Sequence, residues 1–134
     1  MRLMVAAVLA AMIAGGTGAS AKDCGDEATQ AGMNKCAADQ LKIADAALNK
    51  IYQQIVHRLG DDADTLKLLR DAQRAWVDFR DKHCAFAASG VDGGSVYPFI
   101  HDGCLAGLTE RRTKELDAFL HCEEGDMSCP VPGQ

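Results

Sequence analysis

Six cysteines constrain this chain more than any other feature. Cys24, Cys36, Cys84, Cys104, Cys122 and Cys129 all fall after residue 21. Before them, Met1-Arg2 leads into an apolar run from Leu3 to Ala14, then small residues ending in Ala19-Ser20-Ala21. A basic start, an apolar core and a small-x-small finish describe a secretory signal peptide, with cleavage expected after Ala21. The apolar run is too short for a spanning helix, which needs roughly 20 residues. An even cysteine count in an exported chain of this size implies three disulfides. Export and oxidation support each other and point to the periplasm of a bacterium. Lys22 and Asp23 separate Cys24 from the cleavage site, so the expected product is soluble rather than lipid-anchored.

The mature segment, 22–134, suits a single domain with one core, and its last part, 122–134, reads as an irregular tail. Arg2 is the only charged residue of the first 21, which leaves 13 Lys and Arg against 19 Asp and Glu, a net charge of −6. That balance argues against nucleic acid and anionic membrane as partners and is compatible with a basic protein partner.

Periodicity sets the fold class. Met33, Ala37, Leu41, Ala44, Leu48, Ile51, Tyr52, Ile55 and Leu59 recur at helical spacing, which predicts a long amphipathic helix beginning after Thr29 and ending at Gly60. A second helix follows from about Asp62 to Ala88. On it Leu66, Leu69, Ala72, Gln73, Trp76, Phe79, Arg80 and His83 share the expected inner face, while Lys67, Arg70, Asp71, Arg74, Asp78 and Asp81 read as solvated. Three glycines within 90–94 make a loop. Ser95 is the expected N-cap of a third helix, with Pro98 in its first turn. That helix reads to about His121, with Ile100, Cys104, Leu108, Arg112, Leu116 and Phe119 inward. Gly103 and Gly107 inside it cost stability unless another helix packs closely there. No period-two pattern appears. The fold class is all-α: three long antiparallel helices in a small disulfide-stabilised bundle.

Cysteine spacing narrows the pairing without fixing it. Cys122 and Cys129 lie together at the far end of the third helix. Cys36 and Cys84 are equidistant from Gly60, so side-by-side helices would set them level, and this favours Cys36–Cys84 with Cys24–Cys104. Cys84–Cys104 with Cys24–Cys36 stays open.

No catalytic constellation emerges. His57, His83, His101 and His121 show no metal-ligand spacing, and oxidised cysteines are neither ligands nor nucleophiles, so no metal and no cofactor is expected. The carboxylates Glu110, Glu115, Glu123 and Glu124 read as solvated faces. Gly93-Gly94-Ser95 before a helix lacks the strand and lysine of a phosphate loop. Arg80, Arg112 and Asp45 lie on or beside inner faces, where charge is costly unless paired. The reading is an internal network of Asp45, Gln73, Trp76, Arg80 and Arg112 with a structural role.

Several short patterns together resemble the LprI-type lysozyme-inhibitor family. They are Thr29-Gln30 with Met33-Asn34 and Cys36-Ala37; Ala44-Asp45 with Leu48-Asn49 and Tyr52; and Ala72-Gln73-Arg74-Ala75-Trp76 with Phe79-Arg80 and Cys84. Gly93-Gly94-Ser95 with Tyr97-Pro98, Leu108-Thr109 with Arg112 and Leu116, and Cys122 to Cys129-Pro130 complete the set. The resemblance implies a helical, disulfide-bonded envelope domain, in some members associated with lysozyme inhibition; since no activated nucleophile, metal set or acid/base pair stands among the residues, a binding protein rather than an enzyme is expected. The expected contact element is the loop and helix start from Ser89 to His101. There Asp92, Gly93, Gly94 and Ser95 present backbone donors, and Ser95, Tyr97 and His101 offer side chains to lysozyme carboxylates. The alternatives are an envelope hydrolase and a non-enzymatic interaction module with another periplasmic partner.

Overall fold

The computed structural model describes residues 23–133; the expected signal peptide and its cleavage point lie outside them. Three helices account for most of the chain: α1 (Gln30–Leu59), α2 (Ala63–Ala88) and α3 (Tyr97–Ala118), with 3-10 turns at Cys24–Asp26 and Ser89–Val91. There is no strand among the described residues.

The helix limits follow from local chemistry. The Thr29 side chain accepts a hydrogen bond from the Gly32 N–H and starts α1, occupying an orphan donor of the first turn. Gly60 ends α1 with φ of 56°, where a side chain would be strained. Asp62 starts α2 by accepting from the Thr65 N–H. At α3 the cap differs from expectation. The boundary residue is Val96, with no side-chain cap, and Ser95 lies one residue outside it. Pro98 falls in the first turn, where its missing N–H removes nothing the helix uses. The helix stops at Ala118 rather than near His121, because Phe119, Leu120 and His121 donate to carbonyls three or fewer residues back and tighten into turns.

α3 packs against both other helices, whereas α1 and α2 touch each other little away from their connection. This placement explains two departures from the sequence reading. A helix gripped from two sides has no single inner stripe. The residues most buried on α3 are Leu105, Ala106, Thr109 and Leu116, while Ile100 is exposed and Cys104, Leu108, Arg112 and Phe119 are half-buried. On α2, Trp76 and Arg80 turn inward but Ala72, Phe79 and His83 face solvent. Gly103 and Gly107 meet no neighbouring helix; a side chain at Gly103 would project into open space.

The core is unevenly distributed. Leu48, Ile55, Leu59, Leu116, Leu120 and Val131 form one buried cluster, with Ile51, Tyr52, Leu66, Leu69, Trp76 and Phe119 around it. It sits at the end where α1 and α3 finish and α2 begins, and the tail contributes Val131 to it. Toward the other end the buried residues are Ala37, Ala44, Ala88, Ala106, Cys24 and Cys84, with Leu105 the one large side chain. Alanines remove little apolar surface from water. That end is held by covalent links instead.

The disulfides are Cys24–Cys36, Cys84–Cys104 and Cys122–Cys129. The pairing favoured from spacing, Cys36–Cys84 with Cys24–Cys104, is therefore wrong. It assumed α1 and α2 side by side. With α3 in contact with both, Cys84 faces Cys104 at a Cα separation of 5.6 Å, and the turn Cys24–Asp26 folds back on α1 to put Cys24 5.5 Å from Cys36. Each bridge adds about 2–4 kcal/mol by restricting the unfolded chain.

Candidate functional site

The loop expected to make contact lies at the disulfide-closed end. Cys84–Cys104 clamps its two sides, joining the end of α2 to the second turn of α3. A second tether comes from α1: the Asn34 Nδ2 donates to the Ser95 carbonyl at 2.9 Å, and Gln30 Nε2 donates to Asn34 Oδ1 at 2.8 Å, which fixes the amide's orientation. Cys24–Cys36 holds the first turn of the chain onto the same part of α1. Gln30 and Asn34 were not assigned to the site from sequence. Their spacing of four on one helix face was the only signal, and it names no partner.

Within the loop, Gly93 has φ of 72°, in the left-handed region that glycine adopts without strain. A Cβ on Gly94 would stand 3.0 Å from the Val91 carbonyl oxygen. The glycines thus make a tight turn. The backbone donors are only partly available: the Asp92 N–H donates to Ser89 O at 3.3 Å and the Gly94 N–H to Val91 O at 2.9 Å. The expectation of four outward donors is reduced accordingly. Asp92, Gly93, Gly94 and Ser95 are all exposed. Tyr97 and His101, one helical turn apart, stack with ring centroids 5.2 Å apart and planes 15° from parallel. His101 Nδ1 lies 3.3 Å from the Asp102 carboxylate. Both rings are half-buried. Four of the six residues thus lie on the turn and two on the first turns of α3.

Charge at this end is mostly acidic, and Lys35, between Asn34 and Cys36, is exposed and paired with Asp39. Segments 23–34 and 85–104 contain Asp23, Asp26, Glu27, Asp92 and Asp102 and no lysine or arginine.

The polar network lies deeper, midway along the bundle, in two limbs. Arg80 Nη1 donates to Asp45 Oδ1 and to Thr109 Oγ1, each at 3.1 Å, and its Nε donates to Asp81 at 2.9 Å. Arg112 Nε donates to Gln73 Oε1 at 3.2 Å and its Nη1 to Glu115 at 3.0 Å. Trp76 joins them: the Arg80 and Arg112 guanidiniums lie 5.3 and 5.9 Å from the centre of its ring. Thr109, completely buried, was not anticipated in this network, since a lone threonine on a helix carries no pattern that marks it. All three helices contribute, so the network fixes how α2 sits on the other two. No group of three or more His, Cys, Asp or Glu able to hold a metal is found among the described residues.

A cleft of about 780 Å³ opens at the opposite end, bounded by Arg58, Leu120, Glu123, Asp126 and Val131 among others. Arg58 is tied there to the Leu120 carbonyl at 2.8 Å. None of the candidate contact residues reaches it.

A sequence profile of the family described as Lysozyme inhibitor LprI matches residues 20–116. The chain belongs to the LprI lysozyme-inhibitor family. It is 39% identical over 113 residues to an uncharacterised protein of Rhizobium meliloti (strain 1021), covering 76% of this chain and 81% of that one. It is 32% identical over 121 residues to the uncharacterised protein YecT of Escherichia coli (strain K12), covering 77% of this chain and 75% of the relative. Among solved structures, a DUF1311 family protein from Pseudomonas putida KT2440 superposes with a TM-score of 0.61 at 23% identity, over 64% of this chain and 88% of that one. That likeness shows the helical fold. No helix among the described residues of this LprI-family chain is long and apolar enough to cross a membrane.

Proposed function

We propose that this LprI-family protein is a periplasmic binding protein that occludes lysozyme and so protects peptidoglycan, acting by contact rather than catalysis. On this reading the chain is exported by its first 21 residues and works as the single domain 22–134. The observation that carries the proposal is the disulfide-closed end: an exposed loop held by the Cys84–Cys104 bridge and the Asn34–Ser95 hydrogen bond, with five carboxylates around it and the neighbouring Lys35 paired with Asp39. Many lysozymes are basic proteins, and opposite charge accelerates encounter. A loop already held in one shape loses little conformational entropy on binding. Asp92 and Ser95 would meet the partner first, with Tyr97 and His101 contributing ring edges at the side.

The test is lysozyme-driven clearing of a cell-wall suspension, followed with the purified mature protein over a range of salt. Inhibition should weaken as salt screens the attraction. Asp92→Lys and Tyr97→Ala should each weaken it by on the order of tenfold, equivalent to about 1.4 kcal/mol, with the circular dichroism of the domain unchanged. Absence of inhibition at micromolar protein against both chicken-type and goose-type lysozymes would sink the proposal.

A further inference from the structure

The outer face of α2 carries an apolar stripe that nothing among the described residues covers. Leu68 is 69% exposed, Phe79 54% and Phe86 78%. Positions 68, 75, 79 and 86 follow one another by seven, four and seven residues, which keeps them on one side of a helix. Ala72 and Ala75, also exposed, fill the same strip, and His83 borders it with its ring 5.4 Å from that of Phe79. The strip lies about a third of a turn from the face that meets α3, at 100° per residue. Leu68, Phe79 and Phe86 together leave roughly 400 Å² of side chain in water, within the range of the largest apolar patch on a monomer, which is often functional.

We infer that this stripe is the interface of a twofold homodimer, in which α2 of one copy packs antiparallel against α2 of another. The spacing is self-complementary. A twofold axis level with Val77 places Leu68, nine residues before it, opposite Phe86, nine residues after it. The same axis places Ala75 opposite Phe79, so a small residue receives a ring on each side and the helices approach closely. The flanking charges agree with this register. Lys82 of one copy comes level with position 72 of the other, one residue from Asp71, and both lie on the same flank of the strip. Each of these charges is exposed and held only within its own helix, Lys67 with Asp71 and Lys82 with Asp78. Asp78 approaches its own equivalent across the axis and is covered by its Lys82.

The area sets the strength. Both copies with their flanking residues bury roughly 1,100 Å², at the weak end of specific interfaces. A dissociation constant on the order of 10–100 µM is expected. Each copy carries a net charge of −6 without its first 21 residues, so association should tighten as salt rises. Lysozyme binding should do the opposite, and the two behaviours are separable in one protein.

Sedimentation equilibrium of the mature, disulfide-bonded protein from about 5 µM to about 1 mM tests the inference. The weight-average mass should rise from one chain toward two, more steeply at high salt. Phe79→Asp and Phe86→Asp, both at exposed positions, should hold it at one chain while leaving the thermal midpoint within about 2 °C. A photo-crosslinking benzoylphenylalanine in place of Phe86 should capture a peptide that contains Leu68. A chain that stays monomeric to 1 mM overturns the inference, as does capture of a peptide outside α2. Loss of lysozyme inhibition in a Phe79→Asp protein whose parent never dimerises would show that the stripe serves a different partner, and overturns it equally.

Discussion

Replacing Arg80 isolates what holds α2 to the rest of the bundle. Its side chain is 14% exposed and meets Asp45 on α1, Thr109 on α3 and the Trp76 ring on its own helix. Arg80→Met keeps most of the aliphatic stem and removes the charge. The Asp45 carboxylate is nearly half exposed, so the ion pair is screened and contributes at most about 1 kcal/mol. Thr109 is fully buried; a hydroxyl that loses its donor there costs about 1–2 kcal/mol. The guanidinium over Trp76 adds about 0.5–1 kcal/mol. The expected loss is about 2–4 kcal/mol, a fall of roughly 10 °C in Tm for a domain of this size. Urea unfolding of the oxidised protein measures it, followed by the fluorescence of Trp76, the only tryptophan. Thr109→Val supplies the second edge of a double-mutant cycle, and the pair should couple by about 1 kcal/mol. A loss below about 0.5 kcal/mol for Arg80→Met, or strictly additive effects in the cycle, would refute the account of Arg80 as the tie between three helices.

Two further outcomes follow from local geometry. Gly93→Ala forces a side chain into the left-handed region at φ of 72° and should cost about 1–2 kcal/mol in the same urea assay, whereas Gly90→Ala, with open space around it, should change stability far less. Asp62 accepts hydrogen bonds from the Thr65 backbone N–H, which hold its carboxyl below the usual aspartate range. A carboxyl depressed in the folded state contributes stability above the unfolded value of about 4 that disappears as pH falls through the folded value. The urea midpoint should therefore decline below about pH 4, and less steeply in Asp62→Asn, whose amide caps without titrating.

The helices were legible because their signals are local. Thr29, Gly60 and Asp62 act on atoms within four residues of themselves; Thr29 and Gly60 bound α1 as expected from the sequence, and Asp62, expected as the acidic start of α2, caps it. The start of α3 misled because Ser95 is a good capping residue three positions before a proline, yet the helix is bounded by Val96 and the Ser95 carbonyl accepts from Asn34 of another helix. A hydrogen bond spanning 61 residues has no local trace. Cys122–Cys129, seven residues apart, formed as expected, but the favoured Cys36–Cys84 pairing failed for the same reason. Spacing from Gly60 fixes the height of Cys36 and Cys84 along the bundle, but not which helix stands between them.

The polar network and the outer stripe are opposite faces of one question about α2. Periodicity assigned Gln73, Trp76, Phe79, Arg80 and His83 to a common side, an arc of about 120°, and only one edge of that arc meets α3. The structure divides them. Trp76 goes inward with Gln73 and Arg80, because a ring can lie beside two guanidiniums whose remaining donors reach Asp45, Thr109, Gln73 and Glu115. Phe79 has no such partner and is left outside with Phe86 and Leu68. Arg80 thus occupies the inner arc of α2, and Arg112 reaches Trp76 there from α3. Arg80→Met tests this division directly: if Phe79 stays outside once the guanidinium is gone, the outward stripe is set by its own partner, and if the dimer weakens with it, the network is what presents the stripe.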